Sequence, residues 1–208
     1  MCCPDESKID VAIAELKSNC ILTDEGDLST YLGIEVKMRN QERKNGNGLA
    51  ENSLPQPFLI HRIIGVLGLS DSRQHTTPAE SNNLLHKDEE GPVRTDHWSF
   101  QSVIGMLNYL CGTRLDILFA VHQCARFCEY SRLSYEKAVK HILQYLKNTP
   151  NEGVVPRPNS SQGIQHYVDA DFADSWNSTD SDDPSSVYSC TGYVIIYAGC
   201  PIVWVSKL

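Results

Sequence analysis

The spacing of apolar residues changes from a helical to an alternating pattern near residue 151, and this change constrains the fold more than any other feature. Before it, residues 100–110, 116–129 and 134–147 each carry one apolar stripe at helical spacing. We expect these helices to pack on one another as a compact unit, with Ser134 as the N-cap of the third. After it, a period of two predicts strands.

The strands predicted after this change form an antiparallel meander. They cover residues 153–156, 164–171, 191–197 and 202–205, and the AGCP segment between the last two indicates a hairpin turn. A sheet with one apolar face needs a covering layer. The hairpin leaves four apolar residues without such a layer: Val194, Ile196, Val203 and Trp204. We therefore expect an unfinished sheet that favours aggregation.

The segment before the helical unit is less regular. Apolar spacing predicts a helix over residues 8–18, a strand over 31–38 and a helix over 58–67. Residues 39–57 are polar and rich in glycine and proline, which indicates a loop without a core of its own. Residues 70–96 are polar and aperiodic, and we expect an extended connection across a surface. Helices followed by antiparallel strands predict an α+β fold.

Charge is distributed unevenly along the chain. A net charge of -8 argues against binding nucleic acid through the whole surface. A local basic stripe lies on and just before the third helix of the unit: Arg126, Arg132, Lys137, Lys140 and Lys147. The stripe fits either a solvated helix face or a track for a nucleic-acid backbone, because basic side chains that neutralise phosphates release counterions. No aromatic residue interleaves with the stripe to stack on bases.

The sharpest local motif is YVDADFADS, at the end of the strand predicted over residues 164–171. Asp169 and Asp171 are two residues apart, so an extended strand directs both side chains to the same face. Two carboxylates in this position can hold Mg²⁺, which prefers oxygen ligands. The same pattern also fits solvated carboxylates where a strand meets a loop.

The eight cysteines do not form a disulfide or zinc framework. Cys124 and Cys128 lie one helical turn apart, and since no further ligands stand at workable spacing, we expect buried thiols. His122 and His141 fall inside predicted helices and are interpreted as structural. No apolar run is long enough to cross a bilayer and no secretory signal is present, so we expect an intracellular protein without a membrane partner.

Five segments in a fixed order resemble the Pol polyprotein of Ty1/copia-type retrotransposons. They are LTDEGDLSTYLGIEV, FQSVIGMLNYLCGTRLDILFAVHQCARF, AVKHILQYLKNTPNEGV, YVDADFADSW and CTGYVIIYAGCPIVWVSKL. The resemblance implies four regions: the end of a reverse-transcriptase palm and thumb over residues 1–69, a polar connection over 70–97, a helical thumb or connection unit over 98–150, and the first strands of a truncated ribonuclease H-like domain over 151–208.

The resemblance also implies a function for the parent polyprotein. That parent is an RNA-directed DNA polymerase with ribonuclease H, which uses Mg²⁺ and binds a primer–template or an RNA–DNA hybrid. Asp169 matches the first metal-binding carboxylate of ribonuclease H, with Asp171 beside it. The palm carboxylates are expected before residue 1 and the glutamate-bearing helix after Leu208. Leu115 and Cys190 depart from the proline and arginine that family members usually carry there.

Three functions remain open from the sequence. The leading hypothesis is a Pol fragment that is catalytically inactive by itself, holds no metal tightly and binds nucleic acid weakly and without specificity. The second is a module that binds nucleic acid or protein through its helical unit. The third is a metal-dependent nuclease that uses Asp169.

Overall fold

A computed structural model of the chain describes residues 6–21, 23, 28–39, 51–80, 85–88, 90–129, 132–159, 161–170 and 189–207. Within these residues, helices and small antiparallel sheets combine as the predicted α+β class. The helices are α1 (Glu6–Asn19), α2 (Pro57–Val66), α3 (Phe100–Leu110), α4 (Leu118–Ala125) and α5 (Leu133–Asn148). The strands are β1 (Thr30–Tyr31), β2 (Ile34–Glu35), β3 (Lys37–Arg39), β4 (Glu51–Pro55), β5 (Gly153–Val154), β6 (Ile164–Ala170), β7 (Thr191–Tyr197) and β8 (Cys200–Lys207).

The core of the molecule lies between α2, α3, α4 and α5, which we call the helical unit. Its apolar stripes meet as predicted, and several of their residues are fully buried: Ile60, Ile63, Leu107, Leu110, Val121, Val139, Leu143 and Leu146. The side chain of Ser99 caps α3 by accepting a hydrogen bond from the backbone N–H of Ser102 at 3.2 Å. Predicted helices over 8–18, 58–67 and 100–110 are confirmed. None of the described helices is long and apolar enough to span a membrane.

Two details of the predicted helical unit are wrong. The helix predicted over 116–129 is divided into a 3-10 turn, Leu115–Ile117, and the shorter α4, which ends at Ala125. Ser134 does not cap α5, because Arg132 occupies the N-cap position and Ser134 lies inside the helix. The hydroxyl of Ser134 instead donates to the carboxylate of Asp88 at 2.5 Å, which ties the connecting segment to α5.

A buried arginine holds the turn between α3 and α4 against the end of α5. Arg114 is 1% exposed and donates to both carboxylate oxygens of Asp116 at 2.9 and 2.7 Å. It also donates to the backbone oxygen and the hydroxyl of Thr149, each at 2.8 Å. Tyr145 completes the network by donating to Asp116 at 2.6 Å. Because a buried charge is costly unless it is fully hydrogen-bonded, this network fixes three segments relative to one another.

The structure corrects the prediction of one strand over 31–38. Leu32 and Gly33 have φ angles of 51° and 79°, and they form a tight turn between β1 and β2 before β3 begins. The loop predicted over 39–57 is also wrong at its end, because residues 51–55 form β4 between β3 and β5. That pairing joins Leu54 to Val154, a contact that local sequence cannot reveal.

Of the described strands after the helical unit, β6, β7 and β8 form an antiparallel sheet in that order, as predicted. The first strand of the predicted meander is an exception, because β5 pairs with β4 in the other sheet. Ala198 and Gly199, with φ angles of 49° and 77°, make the hairpin turn, so β8 begins at Cys200 rather than at residue 202. The strand predicted over 153–156 shortens to β5. The predicted uncovered set is wrong in part, because Val194 and Trp204 lie opposite each other on a half-buried face, while Val203 is exposed.

Candidate metal and nucleic-acid site

Asp169 lies on β6, one of the two edge strands of the β6–β7–β8 sheet as described, and its side chain is exposed. It stands opposite Gly192 on β7, which in turn stands opposite Ser206 on β8. This row of residues faces the helical unit across a cleft of about 300 Å³. The opposite wall consists of Leu115, Leu118 and Phe119. Asp169 therefore faces an apolar wall of the same chain.

The described residues around Asp169 offer few oxygen ligands for magnesium. The other polar groups of the cleft are the Cys190 thiol and the Ser206 hydroxyl, whose atoms are 3.6 Å apart. Mg²⁺ prefers several oxygen ligands in octahedral geometry and is a poor match for a thiol. In the part of the chain that the structure describes, no group of three or more His, Cys, Asp or Glu side chains is arranged to hold a metal. Asp171, the other predicted ligand, lies outside the described residues.

Polar contacts between described residues attach the sheet to the helical unit. The indole N–H of Trp204 donates to the backbone oxygen of Cys111 at 2.8 Å. Nδ1 of His122 hydrogen-bonds to the backbone oxygen of Ser206. His122 therefore has the structural role predicted from its position in a helix. Both contacts come from β8, so β6 and Asp169 lie on the edge farther from the attachment.

Lys140, a predicted nucleic-acid contact, is neutralised inside the molecule. Its ammonium lies 2.6 Å from Asp96 and 2.8 Å from Glu136, which is buried. Desolvation, the largest single influence, lowers the pKa of Lys140, but the hydrogen bonds and charges of the two carboxylates together raise it above its ordinary value. This ion pairing takes Lys140 away from the predicted basic track.

Lys147 and Arg132 also donate hydrogen bonds to backbone oxygens in or next to the connecting segment, the polar connection over residues 70–97. The ammonium of Lys147 donates to the backbone oxygens of Ser72 at 2.6 Å and Leu69 at 3.4 Å. Arg132 donates to the backbone oxygen of Gly91 at 2.9 Å. These cations satisfy backbone carbonyls of the connecting segment. The basic stripe therefore fastens this segment, which was predicted to cross a surface, to the helical unit.

His141, the second histidine interpreted as structural, has contacts of the same kind. Its Nε2 lies 3.0 Å from the backbone oxygen of Thr77. Its ring stacks on His75, with centroids 3.9 Å apart. Burial, followed by the charges of His141 and Arg73, lowers the pKa of His75. The pair fastens the connecting segment to the middle of α5.

Lys137 and Arg126 differ from the other predicted contacts. Lys137 is exposed and lines a cleft of about 650 Å³ between α4, α5 and the connecting segment, of which residues 78–80, 85–88 and 92 line the cleft. Arg126 donates to the side-chain oxygen of Gln123 at 3.1 Å, and its guanidinium lies 5.3 Å from the ring centre of Phe127. Of the predicted stripe, Lys137 is the cation that remains directed to an open cleft.

Two residues of this region were not predicted to be important. Phe119 is 43% exposed and lines both clefts, the one with Asp169 and the one with Lys137. Its neighbours in the chain are apolar, so its sequence position suggests only a core residue. Arg114 is buried in its network, whereas arginine in a sequence usually indicates the surface. The exposure of Phe119 and the burial of Arg114 follow from tertiary packing, which the local sequence does not indicate.

Comparison with known proteins shows what the chain is similar to. The chain is 29% identical over 98% of its length to the retrovirus-related Pol polyprotein from transposon RE1 of Arabidopsis thaliana. It is 30% identical over 87% of its length to the Pol polyprotein from transposon RE2 of the same plant. It is 28% identical over 93% of its length to the one from transposon TNT 1-94 of Nicotiana tabacum.

The chain is thus a relative of the Pol polyproteins of Ty1/copia-type transposons, as its motifs predicted. It spans 13%, 11% and 14%, respectively, of the lengths of these three relatives. No family model matches the chain. No solved structure matches it either.

Proposed function

We propose that the chain is the junction of a Pol polyprotein at which the end of a reverse transcriptase meets the start of a ribonuclease H-like domain. Residues 1–69 belong to the former, 98–150 form the helical connection and 151–208 begin the latter. The role of the junction is architectural: it holds these regions in a fixed arrangement and completes neither active site by itself. The resemblance of the motifs and the family of the relatives support this reading.

The observation that carries the proposal is a set of contacts across the proposed boundaries. Leu54 of β4 pairs with Val154 of β5, about a hundred residues later in the chain. The backbone N–H of Val154 donates to the oxygen of Thr113 at 2.9 Å, and the hydroxyl of Thr113 accepts from Gln56 at 2.8 Å. Three proposed regions therefore meet at Thr113. Trp204 adds a fourth contact, between the sheet and the end of α3.

The test asks whether the helical unit and the sheet stay together after the chain is cut between them. A protease site is introduced at residues 157–159, which are exposed. After cleavage, we expect the two pieces to elute together in gel filtration. Trp204→Ala should separate them, whereas Tyr197→Ala, which removes an exposed aromatic residue of the same sheet, should not. Separation of the parent pieces would refute an architectural junction.

Catalytic inactivity of the chain is the second part of the proposal. Its support is the cleft itself, in which the carboxylate of Asp169 faces leucine and phenylalanine side chains. The measurement is cleavage of the RNA strand of an RNA–DNA hybrid with Mg²⁺ or Mn²⁺. We expect no cleavage that depends on Asp169, so the parent chain and Asp169→Asn should be indistinguishable. Cleavage lost in Asp169→Asn would instead favour the metal-dependent nuclease.

Weak nucleic-acid binding is the candidate function favoured by the Lys137 cleft. Lys140 and Lys147 are engaged inside the molecule, so few cations of the predicted basic stripe remain to neutralise phosphates. The affinity should therefore be low and its salt dependence shallow, with a slope of about -0.7 per phosphate neutralised on a single strand. A slope equivalent to five or more phosphates, roughly -3.5, would show that the engaged lysines do bind the strand.

A further inference from the structure

One stretch of the connecting segment, residues 73–80, is attached to the middle of α5 through a pair of histidines. The backbone N–H of His75 donates to the backbone oxygen of Gln144 at 3.3 Å. The ring of His75 stacks on the ring of His141, with centroids 3.9 Å apart and planes inclined by 23°. Nε2 of His141 in turn lies 3.0 Å from the backbone oxygen of Thr77. The two imidazole rings therefore lie at the centre of this attachment.

The same stretch forms one wall of the cleft of about 650 Å³ beside α4 and α5. Pro78, Ala79 and Glu80, which directly follow the attachment, line this cleft together with His141. If residues 73–80 separate from α5, this wall moves away and the surface of α5 beneath it becomes accessible. The contact between the two histidines therefore determines whether the cleft is closed on this side.

We propose that His75 and His141 form a pH-sensitive latch, which keeps residues 73–80 on α5 while both rings are neutral and releases them when both rings are protonated. Histidine is the side chain whose ordinary titration range lies nearest to neutral pH. Two neutral rings attract each other by stacking, whereas two imidazolium cations with centres 3.9 Å apart repel each other. The latch is a property of the helical unit alone and does not depend on the proposed junction.

Repulsion between the rings, and not loss of a hydrogen bond, is the force that opens the latch. The backbone oxygen of Thr77 can only accept a hydrogen bond, so Nε2 of His141 carries the proton that it donates. This N–H is present in both the neutral and the charged ring. Protonation therefore leaves the bond to Thr77 possible and acts through the contact with His75.

The surroundings of the pair contain charges of both signs. Arg73 and Glu80 of the connecting segment act on His75 with opposite charges, and α5 contributes His141 and the uncharged Gln144. The other charged or titratable side chains of the connecting segment and of α5 that line the cleft are His86, Lys87, Asp88 and Lys137. The side chains that α4 places in the cleft are Phe119, Ala120, Gln123 and Cys124.

The direction of the expected pH dependence follows from His75. Burial, followed by the positive charges of His141 and Arg73, lowers the pKa of His75 below its ordinary value of 6.5, although Gln144 and Glu80 oppose this effect. A closed form with a lowered pKa binds protons less readily than the open form. The closed form is therefore fully favoured above pH 6.5 and loses this advantage as the pH falls below 6.5.

The opening is local because other contacts fasten the connecting segment on both sides of the latch. The ammonium of Lys147 donates to the backbone oxygens of Leu69 and Ser72. The hydroxyl of Tyr135 donates to the backbone oxygen of His86 at 3.0 Å and accepts from the backbone N–H of Asp88 at 2.7 Å. No imidazole ring takes part in these attachments, so mild acid should leave them in place.

The experiment measures hydrogen exchange of the His75 amide by NMR between roughly pH 7.5 and 5, a range that spans an ordinary histidine titration. Each rate is divided by that of an unstructured peptide at the same pH, which gives a protection factor. In the parent chain, this factor should fall at least about fivefold on acidification, the size expected for two unit charges about 4 Å apart in water. His75→Phe keeps a ring that stacks but takes up no proton, so its protection factor should not depend on pH.

Matched controls distinguish the latch from general acid destabilisation. His61→Phe, which changes an exposed histidine of α2, should retain the fall seen in the parent. The amide of Leu143, in the buried part of α5, should keep its protection in every protein. His141→Phe loses the bond to Thr77, so its His75 amide should be less protected at all pH values but without pH dependence.

Three results would overturn the proposal: a protection factor of His75 that does not change with pH in the parent, a fall that persists in both His75→Phe and His141→Phe, or an equal fall at Leu143. Circular dichroism at both ends of the pH range establishes that each variant is folded, and either phenylalanine variant is sufficient if the other does not fold. The co-elution of the cleaved pieces is measured at neutral pH and is independent of these results, so either idea can fail without the other.

Discussion

The helical unit and the β6–β8 sheet are built from similar proportions of apolar residues but differ in how those residues are used. In the helical unit, four helices enclose a core whose central side chains have no exposed surface. In the sheet, every residue of β6 is exposed. Ile164, Val168 and Tyr197 are all more than half exposed on one face. The other face meets the helical unit chiefly through β8.

This difference shows where the free energy of folding resides. Burial of apolar surface contributes about 25 cal/mol per Å², so the helical unit supplies most of the stabilisation and the sheet depends on its attachment. Position in the fold then determines what a residue can do. Arg114 and Lys140 stabilise the unit, whereas Phe119 and Asp169 at its border remain accessible. Substitutions, chemical labelling and hydrogen exchange can test this contrast between an enclosed and an open region.

The largest contrast is expected in thiol reactivity. Burial raises the pKa of Cys111 and of Cys124 to about 12, from an ordinary 9.0. Because the thiolate is the reactive form, a rise of three units reduces it about a thousandfold at pH 8. We expect native-state alkylation, resolved by mass spectrometry, to label the exposed Cys20 and the half-buried Cys200 long before these two. Rapid labelling of Cys124 would mean that the helical unit opens readily.

The next effect compares the same substitution in the two regions. Ile63 on α2 is 0% exposed, whereas Ile164 on β6 is 71% exposed. Ile63→Ala should lower the free energy of unfolding by about 2–5 kcal/mol, because it leaves a cavity in the core. Ile164→Ala should change it by less than about 0.5 kcal/mol. Urea denaturation followed by circular dichroism measures both. Comparable losses would show that the outer face of the sheet is covered in solution.

Sequence patterns predicted the enclosed region far better than the open one. Apolar spacing located α3 because local periodicity and tertiary packing agree there. It missed β4, since residues 51–55 become a strand only by pairing with β3 and β5. A polar segment that pairs with a distant strand carries no local period that would reveal it.

The candidate site was predicted in part, for a similar reason. The strand bearing Asp169 was found, and the resemblance supplied its family. The internal contacts of Lys140 and Lys147 were not predicted, because their partners in the connecting segment lie more than forty residues away in the chain. Phe119 was missed because helical phase alone does not tell which side of α4 faces solvent. The number of basic residues in the sequence is therefore only an upper limit on the number of cations that a ligand can contact, because some of them are paired within the fold.

A smaller effect, with its own pH dependence, is expected at Arg114. Arg114→Leu should lower the free energy of unfolding by about 1–3 kcal/mol, because Thr149 and the half-exposed Asp116 lose charge-assisted hydrogen bonds. Desolvation, the largest single influence, raises the pKa of Asp116, but the hydrogen bonds from Arg114 and Tyr145 and the Arg114 charge together lower it below 3.8. A lowered folded-state pKa contributes stability that is complete above the unfolded value and is lost as the pH falls through the folded value.

The parent chain should therefore lose this contribution as the pH falls below about 3.8, and the Arg114 variant should not show that loss. Chemical denaturation between roughly pH 2.5 and 7, a range that brackets a carboxylate titration, is the measurement. Asp116→Asn is the matched control, because it removes the titrating group but keeps the shape of the side chain. An acid-dependent loss of the same size in all three proteins would assign it to other carboxylates.

The smallest effect concerns the attachment itself. Trp204→Phe keeps an aromatic ring but removes the N–H that donates to the backbone oxygen of Cys111. Loss of this bond should cost about 0.5–1.5 kcal/mol. Hydrogen exchange should show faster exchange in β7 and β8 and unchanged protection in α3 and α5, because the core of the helical unit does not depend on the sheet. Tyr197→Phe, a conservative change at an exposed position of the same sheet, should leave both regions unaffected. If instead α3 and α5 lose protection together with β8, the two regions unfold as one cooperative unit, and the exposed sheet is stabilised by the core rather than only attached to it.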